Sequence, residues 1–244
     1  MALVRGSEYM QGSHRDAELW DKIWGKEQIT SDYSIRYLDF MTEIERTLPP
    51  DSTVCEAGCG TGQTLRIFSS RHRTIGLDIS VNALRIAKNS CDAPLQGDIF
   101  RIPLRSGSCD LVYNSGVIEH FPHPTNVAAV TEMARITRKG GRMIVIVPNT
   151  FCLWYKFGKE VAYRMKRFEF GYEEDYSPFR LKTTLEETGV EVGKCFGLQA
   201  TPVLATNDRE ILPFPVRRRL ARLEKYFPFR EYYSYAVGIV GCKK

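Results

Sequence analysis

The stretch Val54-Cys55-Glu56-Ala57-Gly58-Cys59-Gly60-Thr61-Gly62 decides the fold of this 244-residue chain. It starts as a short apolar run, which predicts a buried strand over Thr53–Ala57. Three glycines at alternate positions follow and lead into a predicted helix at Thr61–Ser70. Glycines between a strand and a helix let a ligand approach the backbone, and the helix start offers N–H donors. The stretch therefore predicts a ligand-binding loop.

Strands and helices alternate after this loop. Further strands are predicted at Thr74–Leu77, Pro94–Gln96, Cys109–Tyr113 and Arg142–Val147. Helices are predicted at Val81–Asn89 and Asn126–Thr137. This alternation is typical of a parallel, doubly wound sheet with helices on both faces.

The two ends of the chain add further elements. Apolar residues at three-to-four spacing predict helix over Asp16–Leu48, which Pro49-Pro50 ends. A helix is predicted at Ser177–Glu187, and the last strands, Val190–Leu198 and Tyr233–Val240, are expected to form a terminal hairpin. The predicted domain organisation is a leader at 1–13, a helical lid at 14–50, a cofactor-binding core at 51–150, an aromatic cap at 151–180 and the remainder of the core at 181–244.

The net charge of +5 is concentrated in one patch. The segment from Pro213 to Arg230 contains six cationic residues and a single carboxylate, Glu224. The cationic residues are Arg217, Arg218, Arg219, Arg222, Lys225 and Arg230. A solvated helix, an anionic membrane surface and an anionic substrate all fit this patch. Nucleic acid is expected to be an unlikely partner, because +5 is low for a nucleic-acid-binding protein.

The seven cysteines are odd in number and have neither zinc-ribbon nor redox spacing. No metal site is expected, and reduced cysteines in apolar runs indicate a cytoplasmic protein. The sequence contains no run of 18 apolar residues, so no membrane span is predicted. The oligomeric state stays open.

The glycine spacing separates two classes of cofactor. Dinucleotide sites use GxGxxG with a pyrophosphate over the helix start, whereas here Gly62 comes one residue early. Glu56, before the first glycine, would repel a pyrophosphate and suits an ammonium group. Asp78, at the end of the second strand, can accept both hydroxyls of a ribose.

Residues at the next strand ends complete the predicted ligand. Asp98 can bind an adenine amino group, Ile79 and Ile99 can sandwich the ring, and Asn114 ends the fourth strand. Together these positions predict an adenosine with a charged amino-acid tail and no phosphates, bound at the carboxyl edge of the sheet.

Five motifs in order carry a family resemblance. They are Glu56 to Gly62, Gly76-Leu77-Asp78-Ile79-Ser80, Gly97-Asp98, Asp110-Leu111-Val112 with Gly116-Val117-Ile118-Glu119-His120-Phe121, and Gly140-Gly141-Arg142. The chain resembles the class I S-adenosylmethionine-dependent methyltransferases of the small-molecule, methyltransferase domain 11-like type. The resemblance implies a Rossmann-like sheet of seven strands, six parallel and the last antiparallel. It also implies S-adenosylmethionine as cofactor and S-adenosylhomocysteine as product.

Site residues follow from the same resemblance. The cofactor would contact the set Glu56, Gly58, Cys59, Gly60, Gly62, Asp78, Ile79, Asp98, Ile99, Asn114 and Ser115. His120 is the candidate base, should the acceptor need one, since histidine titrates near neutrality. His123, Trp154 and Tyr155 are candidate acceptor contacts. The aromatic residues of 151–180 fit either the cap's own core or a substrate cage.

The leading functional hypothesis is methyl transfer to O, N or C of a small-molecule or lipid-like acceptor. An RNA or protein acceptor is the alternative, although an Asn-Pro-Pro-Tyr-like motif is absent and Asn114-Ser115-Gly116-Val117 stands in its place. A non-catalytic scaffold or partner activator is the alternative of another class. An NAD oxidoreductase is opposed by the glycine spacing.

Overall fold

The structure is a computed structural model that describes residues 17–24, 32–166, 171–174, 176–202, 205–206, 209–210 and 212–244. The predicted leader lies outside the described residues, as do Phe168 and Phe170 of the aromatic cap.

A seven-stranded sheet forms the centre of the protein. Its members are β1 (Thr53–Ala57), β2 (Arg73–Asp78), β3 (Ala93–Gln96), β4 (Cys109–Ser115), β5 (Thr137–Pro148), β6 (Val190–Leu198) and β9 (Ala236–Lys243). They are arranged in the order β3-β2-β1-β4-β5-β9-β6. Strands β1 to β5 pair in parallel, and β9 runs antiparallel to both β5 and β6. The predicted doubly wound sheet with an antiparallel last strand is therefore confirmed. A separate two-stranded ribbon consists of β7 (Ala205–Thr206) and β8 (Arg209–Glu210).

Helices surround the sheet. They are α1 (17–24), α2 (Asp32–Glu45), α3 (Leu65–Phe68), α4 (Val81–Ala87), α5 (Thr125–Ile136), α6 (Leu153–Arg164), α7 (Pro178–Glu186) and α8 (Phe214–Glu224). Short 3₁₀ turns occupy Ile118–His120 and Arg230–Tyr232. Helices α4 and α7 each begin with a serine N-cap. The Ser80 side chain accepts a hydrogen bond from the Ala83 N–H, and the Ser177 side chain accepts one from the Arg180 N–H.

Alternation along the central strands divides the core into two layers. In β1, Cys55 packs on one face of the sheet and Val54 on the other. In β4, Val112 and Leu111 divide in the same way. Because both faces are covered by helices, these strands are apolar at nearly every position, as buried parallel strands are.

Two predicted elements differ from the structure. The helix expected at Thr61–Ser70 is reduced to the single turn of α3, because the loop keeps positive φ through Gly62 (φ 72°) and the Thr64 hydroxyl bonds to Glu56. The expected terminal hairpin is not a tight one. Strand β9 lies between β5 and β6, and the connection from β6 to β9 contains α8.

Among the residues that the structure describes, no helix combines the length and the apolar character needed to cross a membrane.

Candidate active site

The glycine loop after β1 is held against the end of β2. The backbone N–H groups of Gly58 and Cys59 both donate to the Leu77 carbonyl, at 2.8 and 2.9 Å. Gly58 (φ 77°) and Gly60 (φ 50°) have left-handed backbone conformations that favour glycine. The Cys59 side chain is buried in the core, so this residue faces the predicted cofactor site through its backbone.

Asp78 fastens this loop from the end of β2. Its Oδ2 accepts the Gly60 N–H at 2.7 Å, and its Oδ1 accepts the Ser80 N–H at 2.9 Å. A carboxylate offers about four acceptor positions, so both oxygens keep capacity for the hydroxyls of a ribose. Burial raises the pKa of Asp78, and the backbone donors oppose that rise.

Glu56 is buried beneath the loop among three hydroxyl groups. Thr64 Oγ1 donates to it at 2.7 Å, Tyr113 OH at 3.1 Å and Tyr37 OH at 3.3 Å. Burial raises the pKa of this carboxyl to about 8, despite these donors. Among the described residues, no lysine or arginine forms a salt bridge with Glu56. A cationic group placed here would therefore favour its ionised form.

The predicted adenine contacts lie beyond β2 and β3. Asp98 is partly buried, and its Oδ1 accepts the Phe100 N–H at 2.9 Å. Ile79 is partly exposed next to Asp78, whereas Ile99 is buried in the hydrophobic core with Leu77. The structure thus brings Asp98 and Ile79 to an accessible edge, while most of the Ile99 side chain packs inward.

Asn114 and Ser115 end β4 at the same edge. The Asn114 amide donates to the Ala57 carbonyl at 2.9 Å, which ties the ends of β4 and β1 together. Its Oδ1 is buried without a hydrogen-bond partner among the described residues. Ser115 is partly exposed.

Helix α1 lies across this edge and was not part of the predicted site set. Asp21 Oδ1 accepts the Ser80 hydroxyl at 2.5 Å and the Asn82 N–H at 3.0 Å, at the start of α4. The Trp24 indole lies against Gly60, and the Trp20 ring packs edge-on against His120 with centroids 5.0 Å apart. In the sequence, the spacing of Trp20 and Trp24 ahead of the core was the available signal for a role of α1. A local pattern does not identify the residues that these side chains contact.

His120 lies in the 3₁₀ turn that follows β4. Its Nδ1 is 2.8 Å from the Tyr172 carbonyl oxygen, which can only accept, so Nδ1 carries the proton. In the neutral ring Nε2 is then the basic nitrogen. His123 is exposed on the turn before α5.

Trp154 and Tyr155 begin α6, above the ends of β5 and β9. Both rings pack against Tyr235, with centroid distances of 6.0 and 4.7 Å. Helix α6 has no fully buried side chain, and Leu153 and Phe157 are 78% and 73% exposed. The described part of the aromatic segment therefore does not form a closed core of its own.

Glu119 was quoted in a motif but not assigned to the site. It is 2% exposed, and its Oε2 has no hydrogen-bond partner among the described residues. In the sequence, the available signal for a functional role of Glu119 was its position between Ile118 and His120, shortly after a buried strand.

The basic helix α8 is anchored beside the same edge of the sheet. Glu224 forms a buried ion pair with Arg36 of α2 (Nε to Oε2, 2.6 Å) and accepts the Ala200 N–H just beyond β6. Arg217 is buried and donates to the Leu212 carbonyl, whereas Arg218 and Arg219 are exposed. The three consecutive arginines therefore have different roles.

The residues at this edge fit S-adenosylmethionine. The positive-φ glycines give access to the backbone, and a Cβ on Gly58 would clash with the side chain of Val117. Glu56 would receive the ammonium group and Asp78 the ribose; these roles remain predictions. No group of His, Cys, Asp and Glu suited to a metal occurs in the described part of the chain.

Comparisons with known proteins agree with this geometry. Residues 55–145 match the family described as "Methyltransferase domain". A mouse (Mus musculus) relative, tRNA (carboxymethyluridine(34)-5-O)-methyltransferase ALKBH8, is 32% identical over 177 residues, which are 70% of this chain and 25% of the mouse protein. The human (Homo sapiens) probable tRNA methyltransferase 9B is 35% identical over 100 residues, 40% of this chain and 22% of that protein.

A solved structure supports the same fold. The SAM-dependent methyltransferase from Thermotoga maritima superposes with a TM-score of 0.65 at 18% identity, covering 94% of this chain and all of that one. The chain spans about a quarter or less of the length of the curated relatives above. The matched domain, the strand order and the superposition together show that this chain contains a methyltransferase domain with the fold of the class I S-adenosylmethionine-dependent methyltransferases.

Proposed function

We propose that this protein methylates a carboxylate oxygen of a modified uridine in transfer RNA. The observation that carries the proposal is the similarity to the mouse enzyme, whose name states that it methylates an oxygen of carboxymethyluridine in tRNA. The similarity extends over 177 residues, about twice the length of the matched methyltransferase domain. It therefore reaches beyond the cofactor motifs.

The comparisons favour this RNA alternative over the small-molecule or lipid-like acceptor that the sequence alone put first. They also run against the expectation that nucleic acid is an unlikely partner. The modest net charge of +5 was the reason for that expectation, but a local basic patch can bind phosphates even when the rest of the chain is neutral.

The position of the basic patch is compatible with RNA. Helix α8 presents Arg218, Arg219 and Arg222 to solvent, and its end is anchored next to the carboxyl end of β6. A cavity of about 460 Å³ opens between α2 and α8, and its charged lining is mixed: Arg36, Arg46, Arg222, Lys225 and Arg230 with Asp39, Glu43 and Glu224. Cations of this kind neutralise phosphates, which is the main source of affinity for nucleic acids.

Exposed aromatic rings accompany these cations. Tyr226 and Phe229, at and after the end of α8, are 74% and 72% exposed. Bases of single-stranded RNA stack on such rings, as in an anticodon loop. This combination of exposed cations and exposed aromatic rings therefore favours RNA binding over the interpretation of α8 as a helix that is merely solvated.

Methyl transfer to a carboxylate does not require a general base. When bound, S-adenosylmethionine supplies an electrophilic methyl group on a positively charged sulfur. A carboxyl acceptor is already ionised at neutral pH, since such groups have ordinary pKa values near 4. The protein's residues then have to bind and orient the acceptor rather than remove a proton. Under this proposal His120 has no proton to remove from the acceptor, and it positions the turn after β4 through its contacts with Tyr172 and Trp20.

The test is a methyl-transfer assay on matched RNAs. Purified protein and S-adenosylmethionine are incubated with tRNA that carries carboxymethyluridine and, separately, with an unmodified transcript of the same sequence. Mass spectrometry of the nucleosides should find one added methyl group on carboxymethyluridine only. Transfer to a pool of small carboxylic acids or lipids, with none to either RNA, would reject the proposal.

A further inference from the structure

Glu119 is a buried carboxyl group that the cofactor edge does not use. Its side chain is 2% exposed, and Oε2 has no hydrogen-bond partner among the described residues. Buried polar groups in folded proteins nearly always have a partner, and leaving one without costs about 1–3 kcal/mol. A cost of this size calls for a compensating role.

The carboxyl lies close to the loop that follows β4. A Cβ built on Gly116 would be 3.6 Å from Glu119 Oε1. The next residue, Val117, packs directly against Gly58 of the cofactor loop. The neighbour of the Glu119 carboxyl, Gly116, is thus adjacent in the chain to Val117, the residue that touches the predicted cofactor loop.

The cap helix α6 closes the other side. Glu119 experiences the charges of Glu173 and Lys159, and it acts in turn on the Tyr155 hydroxyl. Within that group, Glu173 accepts the Tyr155 hydroxyl at 2.7 Å and lies 3.1 Å from Lys159 Nζ. Glu173 therefore has partners from α6, whereas the buried Glu119 Oε2 has none among the described residues.

The protonation state determines what Glu119 can offer. Burial, with a smaller contribution from the charge of Glu173, raises the pKa of Glu119 to about 8. At neutral pH the side chain is therefore mostly a neutral carboxylic acid, which has one O–H donor. An ionised glutamate would repel an anionic acceptor, whereas the neutral acid can donate to it.

We propose that Glu119 is a specificity-determining residue for the acceptor, and that its unpartnered Oε2 donates a hydrogen bond to one oxygen of an acceptor carboxylate. The second oxygen of that carboxylate then stays available to receive the methyl group. This inference rests on the proposed function, because it takes the acceptor to be anionic. It assigns Glu119 to binding, and no covalent bond to Glu119 forms or breaks.

Two substitutions of Glu119 distinguish the loss of a hydrogen-bond donor from a change in the shape of the side chain. Glu119→Gln keeps an N–H donor, so kcat/KM for carboxymethyluridine-containing tRNA should stay within about tenfold of the wild type. Glu119→Leu removes the donor and should lower kcat/KM about 100-fold, while the affinity for S-adenosylhomocysteine measured by calorimetry stays unchanged. The wild-type rate should also fall as the pH rises through about 8, and the Gln variant should lack that fall. Glu160→Gln, an exposed carboxylate of α6, is the control and should behave as the wild type.

A stability measurement gives a readout that needs no acceptor. Glu119→Leu removes a buried carboxyl whose Oε2 has no partner among the described residues, so its Tm should equal or exceed that of the wild type. A Tm several degrees lower would make Glu119 a structural residue and overturn the inference, as would undiminished transfer by the Leu variant. Absence of tRNA methylation by the wild-type protein would instead reject the proposed function, and the Tm comparison would still decide whether Glu119 is retained for binding.

Discussion

The indole ring of Trp24 lies directly over Gly60, so that a Cβ on Gly60 would be 2.5 Å from the Trp24 Cζ2 atom. A residue of the N-terminal helix and the middle glycine of the cofactor loop are therefore packed with no space between them. The same glycine donates its N–H to Asp78. One position thus connects α1, the loop and the end of β2.

Gly60→Ala should weaken cofactor binding. The new methyl group has to displace Trp24, and the backbone there (φ 50°) is unfavourable for alanine. We expect the affinity for S-adenosylhomocysteine, measured by calorimetry, to fall at least tenfold. Gly189→Ala is the matched control, because Gly189 has φ 76° but no atom within 4 Å of the added carbon. It should lose about 1 kcal/mol of stability and no cofactor affinity. Equal affinities of the two variants would contradict the expectation.

Glu56 should make the free energy of unfolding depend on pH. Burial raises the pKa of Glu56 from 4.5 to about 8 in the folded chain, so between these values the folded state binds more protons than the unfolded state. Stability conferred by the neutral group is full below about 4.5 and is lost as the pH rises to about 8. Urea unfolding at pH 5, 6.5 and 8 should follow this decline, and Glu56→Gln should make it shallower. An unchanged slope in the variant would show that other groups cause it.

Charge reversal on α8 should weaken RNA binding and leave the cofactor site intact. In Arg218→Glu/Arg219→Glu/Arg222→Glu, three exposed cations are reversed while the buried Arg217 is kept. We expect weaker tRNA binding and a shallower dependence of log K on log salt, because fewer counterions are released. Reversal of Arg105 and Lys139, which are exposed near the starts of β4 and β5, is the control. If the variant instead loses binding to anionic vesicles and keeps its affinity for RNA, the patch serves a membrane.

His120→Ala should lower turnover and leave the affinity for S-adenosylhomocysteine nearly intact, because its ring lies after β4 and contacts Trp20 rather than the glycine loop. If His120 only positions its neighbours, His120→Gln should recover part of the rate, since a side-chain amide can donate to the Tyr172 carbonyl as the imidazole Nδ1–H does. A general base would be worth about 100- to 10,000-fold and could not be replaced by an amide. Single-turnover rates of the three proteins separate these cases, and an unchanged rate in the Ala variant removes His120 from the site.

The sheet was predictable because each of its central strands is an apolar run with a polar residue or glycine at its end. Glu56 and Asp78 mark the carboxyl ends of β1 and β2, and parallel strands bring such ends to one edge. The sequence therefore predicted the fold and the edge of the sheet at which these carboxylates come together. It could not predict that Thr64 would bond to Glu56 and leave α3 as a single turn, since that contact depends on how the loop folds back.

Contacts between distant segments could not be read from local patterns. The three consecutive arginines are equivalent in the sequence, yet only Arg217 is buried, because the Leu212 carbonyl and the Phe214 ring lie next to it. The isolation of Glu119 likewise depends on α6, a helix more than 30 residues further along the chain. Periodicity reports which face of an element is buried but not which partner covers it.

Helix α1 has a consequence for the order of events in a catalytic cycle. It contacts the start of α4 through Asp21, the glycine loop through Trp24 and the turn after β4 through Trp20. The same helix therefore covers the middle of the glycine loop and contacts His120, the candidate residue for acceptor chemistry. We therefore expect release of the spent cofactor and departure of the product to depend on the same helix, and substitutions that loosen its contacts should change both rates together.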